Sequence, residues 1–292
     1  MEISLALGGG GSRGYAHIGV LRCLEKEGFR IRAVAGTSAG GIVAVGYAAG
    51  YTPDELEAAF SKIDQSKLFA RSSEEGPGIL GLAGAAKLFE EFFGERTFAD
   101  LRIPCAVVAV DLKAGREVVL SQGRVVDAIL ATIAVPGVFP PKRFGDSELV
   151  DGAVLNPVPV TVARSLAPKL PVVAVVLEVM TESTRGFNNI PLPVPVPAGL
   201  VKRLTHTRVA LAFNIFLQSV DVASRMLAEL RLLADAPEVV IRPDVSGIGV
   251  LDKVDVHAIA HKGEQATETV LQELHRAVAW QNRLRLRMFP HR

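Results

Sequence analysis

Gly36-Thr37-Ser38-Ala39-Gly40 spells G-x-S-x-G. A mostly apolar run, Ile31 to Ala35, precedes it, and a small-residue segment, Gly41 to Gly50, follows. In that context a strand turns sharply into a helix and leaves the serine hydroxyl exposed, as a nucleophile must be. The flanking glycines leave room for so tight a bend. A second element lies upstream, where Ile3 to Leu7 runs into the glycine-rich stretch Gly8 to Gly14. A glycine run at a strand-to-helix junction presents backbone N–H groups to an anion. Two anions suit it: a dinucleotide pyrophosphate, or the oxyanion of an acyl-transfer intermediate. The third element is Asp151-Gly152-Ala153, directly after Leu149 and Val150. An acid at a strand end keeps its carboxylate free, and a carboxylate beside a serine orients it and takes its proton.

The elements that must position these groups are readable as alternating patterns. Strand patterns cover Ile3–Leu7, Ile31–Ala35, Cys105–Asp111, Glu117–Leu120, Val172–Leu177 and Val239–Arg242. Helix patterns begin at Tyr15, Gly40 and Pro53. The last has Thr52 as N-cap, Pro53 at the first helical position and Glu55 three residues after the cap. Long helical patterns follow from Thr207 to Ala234 and from Val256 towards Arg287. Such alternation predicts a mostly parallel sheet covered by helices. Ligands of these sheets lie at the carboxyl ends of the strands. The glycine loop and Ser38 each follow a strand directly, so both fall on the same edge. Ser72 to Gly84 reads as a flexible connection or lid. Thr181 to Gly199 contains the proline-rich Pro191–Pro197 and fits neither regular helix nor central strand.

Other readings compete for the same residues. Gly9, Gly11 and Gly14 also fit the dinucleotide fingerprint G-x-G-x-x-G. That fingerprint wants an acid at the end of the second strand, where this chain has Gly36, Thr37 and Ser38. A serine triad would need a histidine after the acid in chain order. His206, His257, His261 and His275 all follow Asp151, but none carries a motif. His17 reads as a structural residue of the first helix. Arg13 reads as a brace for the glycine loop, Asn156 as a brace for the Asp151 turn, and Asp111 as the turn of a hairpin.

Composition excludes further classes. Of 292 residues, 49% are hydrophobic, enough for one large core or two small ones. The 32 basic residues against 31 acidic ones argue against nucleic-acid binding. Cys23 and Cys105 lack metal-ligand spacing and read as reduced core residues. No basic segment leads into an apolar stretch at the start, and no apolar run is long enough to span a bilayer. These features predict a cytoplasmic protein that meets any membrane from solution, at its inner surface.

Taken in order, the three motifs resemble those of the patatin-like phospholipase family. Its pattern is G-G-G-x-R/K-G, then G-x-S-x-G, then D-G-G/A. The resemblance is close over roughly the first 180 residues. It implies a three-layer α/β/α fold, with a mostly parallel central sheet and helices on both faces. It implies a single domain over 1–292, with a motif-bearing core at about 1–180 and a C-terminal helical extension at about 200–292. The implied activity is hydrolysis of a phospholipid or other fatty acyl ester by a Ser38–Asp151 dyad, with no metal or cofactor. Gly9, Gly10 and Gly11 would form the oxyanion loop. Arg13, Gly14, Gly36, Gly40 and Gly152 would support the motifs. A reading from another class keeps the motifs in a membrane-associated regulatory or binding protein with weak hydrolase activity. The expected peripheral membrane contacts are Leu192, Val194 and Val196 of the proline segment and the basic-apolar tail from Arg283 to Phe289.

Overall fold

Side chains of the first strand, β1 (Glu2–Leu7), alternate between two cores. Ile3, Leu5 and Leu7 enter the larger core, and Ala6 enters the smaller one. The same division repeats in β2 (Arg30–Thr37), where Val34 and Ala35 part, and in β3 (Cys105–Asp111), where Val107 and Val108 part. A sheet apolar on both faces must be covered on both. The computed structural model, which describes residues 1–64, 68–72, 75–177 and 208–279, shows that covering. The Pro191–Pro197 segment, His206 and the Arg283–Phe289 tail lie outside the described residues.

The remaining strands are β4 (Arg116–Leu120), β5 (Lys142–Phe144), β6 (Ser147–Asp151), β7 (Val172–Val175) and β8 (Val239–Ile241). Hydrogen-bonded neighbours run β5-β6-β3-β2-β1-β7-β8, and β4 also pairs with β3. From β3 to β8 every pairing is parallel, whereas β4, β5 and β6 pair antiparallel.

The larger core is closed by α1 (Ala16–Lys26), α2 (Ala39–Ala48), α3 (Pro53–Ser61), α4 (Ala83–Phe93) and α5 (Val125–Thr132). Two later helices, α8 (Val256–Thr269) and α9 (Leu271–Ala277), complete it. The smaller core lies under α6 (Val160–Leu166) and α7 (Arg208–Asp235), which contribute Val160, Val162, Ala228 and Leu232. The result is the three-layer α/β/α arrangement.

Most sequence-derived elements fall within a few residues of their expected places. The capping box at Thr52 and Glu55 is present in full. Three differences have physical reasons. The pattern starting at Val256 is two helices, because Val270 leaves helical geometry (φ −110°, ψ 10°). Thr267, just before, turns its hydroxyl back onto the Gly263 carbonyl, a bond that competes with the helix ladder. The segment from Ser72 to Gly84 is tied down in its described part. Leu80 is fully buried there, with its N–H on the Val138 carbonyl at 2.9 Å. Finally, β5 is too short and too exposed to show an alternating pattern.

Helices α1 and α8 meet backbone to backbone. A methyl group on Gly19 would land on the Ala260 carbonyl, and one on Gly263 would land on the Ala16 carbonyl. Replacing a helical glycine by alanine on an open surface stabilises by up to about 1 kcal/mol. Here Gly263→Ala should do the opposite and destabilise by about 1–3 kcal/mol, as overpacking does. Chemical denaturation of the variant checks the sign.

Candidate active site

Strand β3 brings the serine and the aspartate together. Thr37, the last residue of β2, pairs with Val108, and Asp151, the last residue of β6, pairs with Ala109. Strand β4 occupies one edge of β3 from Val107 to Asp111. The other edge is therefore shared, with β2 along its first part and β6 along its last. Because β2 is parallel to β3 and β6 is antiparallel, the two carboxyl ends run head to head. Ser38 follows one end, and Asp151 is the other.

Ser38 sits at φ 54° and ψ −124°, a conformation that costs a non-glycine residue about 1–3 kcal/mol. Its neighbours hold it there. Its N–H donates to Thr132 Oγ1 at 2.9 Å, and the Thr132 hydroxyl donates onward to the Val108 carbonyl. Its carbonyl accepts the N–H groups of Gly41 and Ile42, at 2.8 and 3.2 Å. Packing leaves no space for side chains at the flanks. A methyl on Gly36 would strike the Gly40 carbonyl, and one on Gly40 would strike the Leu7 carbonyl. Gly14 lies against the Cβ of Ala39, and Gly152 against the Val108 carbonyl.

The Asp151 carboxylate is buried, at 3% exposure. It accepts the Ala153 N–H at 2.8 Å and lines one cavity with Ser38. Burial pushes its pKa up to about 6, against the opposing pull of the nearby Ser38 hydroxyl and the Ala153 N–H. A latch holds this turn to the serine strand. Thr37 donates its hydroxyl to the Asn156 carbonyl at 2.9 Å, while the Asn156 N–H returns to the Gly152 carbonyl at 2.8 Å. Asp111 turns the β3–β4 hairpin, accepting the Lys113 N–H at 2.9 Å and the Ser147 hydroxyl at 2.6 Å.

The glycine loop divides into anchors and free donors. The Gly8 N–H donates to the Val175 carbonyl at 2.9 Å, and the Ser12 N–H to the Val250 carbonyl at 2.8 Å. Gly9 needs a correction as an expected oxyanion donor. Its N–H is already engaged by the Pro157 carbonyl at 3.0 Å. What Gly9 supplies is clearance, since an added Cβ would lie 3.3 Å from that of Ser38. Among the described residues, the N–H groups of Gly10 and Gly11 meet no acceptor. Both residues line the cavity that contains Ser38 and Asp151. Gly11 has φ 58° and lies against Val250, so a side chain there would meet both backbone strain and a clash.

Arg13 is buried and donates its Nε to the Ile248 carbonyl at 2.7 Å. It braces the loop against the chain segment before α8. His17 donates Nε2–H to the Gly8 carbonyl at 2.8 Å. Burial pulls its pKa down to about 4, so it is neutral at pH 7. His257 pairs with Glu57 at 2.7 Å, His261 with Glu264 at 3.3 Å, and His275 lies against the Phe29 ring. Among the described residues, no histidine lines either cavity that reaches Ser38. Sequence reasoning missed Thr132, a buried hydroxyl in an apolar helix. No motif marks it, and only the pairing of β2 with β3 shows what it holds.

The sequence matches the Patatin-like phospholipase family over residues 5–164. It is 31% identical over 282 residues to a Mycobacterium tuberculosis protein described as an uncharacterised NTE family protein. That match takes in 93% of this chain and 46% of the relative, so the chain spans about half the relative's length. It is 30% identical over 181 residues to mouse patatin-like phospholipase domain-containing protein 6, covering 57% of this chain and 13% of that protein. Among solved structures, VipD from Legionella pneumophila superposes with a TM-score of 0.56 at 13% identity, over 92% of this chain and 66% of VipD. That likeness is one of fold. With the family match covering more than half of its residues and all three motifs, this chain belongs to the patatin-like phospholipase family.

Proposed function

We propose that the chain is a serine hydrolase of lipid acyl esters that works with a Ser38–Asp151 dyad. The observation that carries this reading is a serine held in a strained turn beside a buried carboxylate, where two strand ends meet and both residues line one cavity. Family membership supports the lipid ester as substrate class. Asp151 takes the hydroxyl proton as Ser38 Oγ bonds to the acyl carbonyl carbon. The tetrahedral oxyanion lies against the N–H groups of Gly10 and Gly11, each donor worth about 3 kcal/mol of barrier. Asp151 returns the proton to the departing alcohol, leaving an acyl-serine. A water then gives its proton to Asp151 as it attacks the acyl carbon, and Asp151 passes that proton to the departing Ser38 Oγ, which releases the acid and restores the serine. No metal or cofactor enters any step. The reading takes 1–292 as one hydrolase domain, supported by α7 in one core and by α8 and α9 in the other.

Contact with a lipid surface belongs to the same proposal. Among the described residues, no helix is long and apolar enough to cross a membrane. Helix α7 nevertheless exposes Ile215, Val222, Met226, Leu230 and Leu233, the last at 80%. Steps of seven, four, four and three residues place them on one face, about 27 Å long at 1.5 Å per residue. Phe216, also exposed, lines the cavity holding Ser38 and Asp151. The helix that carries the apolar stripe thus also borders the site, which suits a bilayer delivering substrate.

Four outcomes follow from this reading. Ser38→Ala abolishes hydrolysis of p-nitrophenyl butanoate in a protein that still unfolds cooperatively; retained activity overturns the serine mechanism. For wild type, kcat/KM rises with pH through about 6 and then levels, because Asp151 must be ionised to accept the proton. The same shift sets a stability term. Asp151 binds its proton more tightly folded than unfolded, so stability falls as pH rises from its ordinary 3.8 through about 6. At about 1.4 kcal/mol per pH unit, the ionised carboxylate costs the fold on the order of 3 kcal/mol above that window. Asp151→Asn should therefore be inactive yet melt higher than wild type at pH 8, with the gap closing near pH 4. On the membrane side, Met226→Ser with Leu230→Ser should weaken binding of the Ser38→Ala protein to neutral phosphatidylcholine vesicles, read by flotation. Unchanged binding removes α7 as the contact.

A further inference from the structure

Ser38 lies where two cavities meet. Gly11, Ser38, Val135 and Val250 belong to the walls of both. One cavity has a volume of about 150 Å3 and no charged residue in its lining; Ile42, Phe60, Leu82, Phe89 and Phe139 are among its walls. The other, of about 370 Å3, includes Arg13, Asp151, Asp221 and Ser224. An ester bound at Ser38 sends its acyl chain and its alcohol in different directions from the carbonyl carbon. Two independent arguments assign them. Both cavities are mostly apolar, but only the narrow one lacks a charged wall, which suits a hydrocarbon chain that gains by leaving water. The alcohol must leave on the side of the group that reprotonates it, and Asp151 lines the wider cavity alone.

A third cavity bounds the narrow one. It is an outer cleft of about 590 Å3, with Glu55, Lys62, Lys87 and Glu91 among its walls. Among the described residues, Ile63, Leu68 and Leu88 line both the narrow cavity and this cleft. They are a partition between the apolar interior and water.

We propose that the narrow cavity is the acyl site and that Ile63, Leu68 and Leu88 close its far end, setting the length of acyl chain accepted. This deepens the hydrolase reading and rests on it. At about 10–15 Å3 per water-sized group, the cavity takes a chain on the order of ten such groups. A methylene is close to that size, so the site suits medium-length acyl groups. A longer chain meets the partition. Removing the Leu88 side chain joins the cavity to the cleft and gives a long chain an exit.

The test uses p-nitrophenyl butanoate, decanoate and hexadecanoate in detergent. Wild type should favour decanoate over hexadecanoate by at least about tenfold in kcat/KM, a ratio that a clash with several methylenes readily produces. Leu88→Ala should raise the hexadecanoate-to-decanoate ratio by about tenfold. Ala85→Leu, which fills the same cavity, should move preference the other way, towards butanoate. Melting curves show whether each variant is folded, and opposite shifts from two variants are not produced by instability. Active variants with unchanged ratios overturn the acyl assignment. So does a loss confined to long chains in Leu227→Phe, which narrows the wider cavity instead. A wild type that hydrolyses none of the three esters overturns the hydrolase reading itself, and the acyl site with it.

Discussion

The site depends on one edge of one strand. Strand β4 claims a full side of β3 from Val107 to Asp111, which forces β2 and β6 to share the other. Two strands of opposite direction then end against each other, at Val108 and Ala109. A serine reached from residue 37 and a carboxylate more than a hundred residues later become neighbours through backbone hydrogen bonds. Side-chain packing need only refine that placement. The refinements are short-range: Thr132 ties Ser38 to the Val108 carbonyl, and Asn156 ties Gly152 to Thr37.

Both members of the proposed dyad are held in unfavourable states, and the surroundings offset the cost. Ser38 has a positive φ that glycine would adopt more easily, and glycine has no hydroxyl. Asp151 is ionised in a place that favours its neutral form. Isolated, either residue would relax. Relaxation of Ser38 is opposed by three backbone hydrogen bonds and by contacts at Gly36 and Gly40 too close for any side chain. Relaxation of Asp151 is opposed by its place at the end of a paired strand. Strain at functional groups held by an over-determined scaffold is the general pattern.

How much of this is legible in the sequence depends on the range of the interaction. Local rules locate the serine turn, the glycine loop and the capped helix at Pro53, because each is decided within a few residues. The order of strands is not local. Nothing between Lys142 and Phe144 announces a strand, since β5 is short and exposed at the sheet edge. The break at Val270 needs the competition between a threonine hydroxyl and the helix ladder. Asp151 is identified by its motif, but its contact with Ser38 is a consequence of register. Thr132 is invisible for the same reason. Its helix reads as apolar, and its role exists only once β2 lies beside β3.

The glycine loop shows why four glycines serve where two donors suffice. An oxyanion site works when its N–H groups are fixed before charge develops, so that no reorganisation occurs during reaction. As the proposed oxyanion site, the loop meets that requirement by using its outer amides as anchors. Gly8 is held by β7, Ser12 by the segment at Val250, and Gly9 by the Pro157 carbonyl. The inner amides of Gly10 and Gly11 are then left free between fixed points. The Gly9 anchor has a further consequence. Pro157 lies just beyond the Asp151 turn, whose Asn156 already latches the serine strand. One short segment, Asp151 to Pro157, therefore fixes the carboxylate, the end of the serine strand and one end of the donor loop. A displacement of that segment would disturb all three at once, so the proposed base, nucleophile and donors are held in register by a single piece of chain.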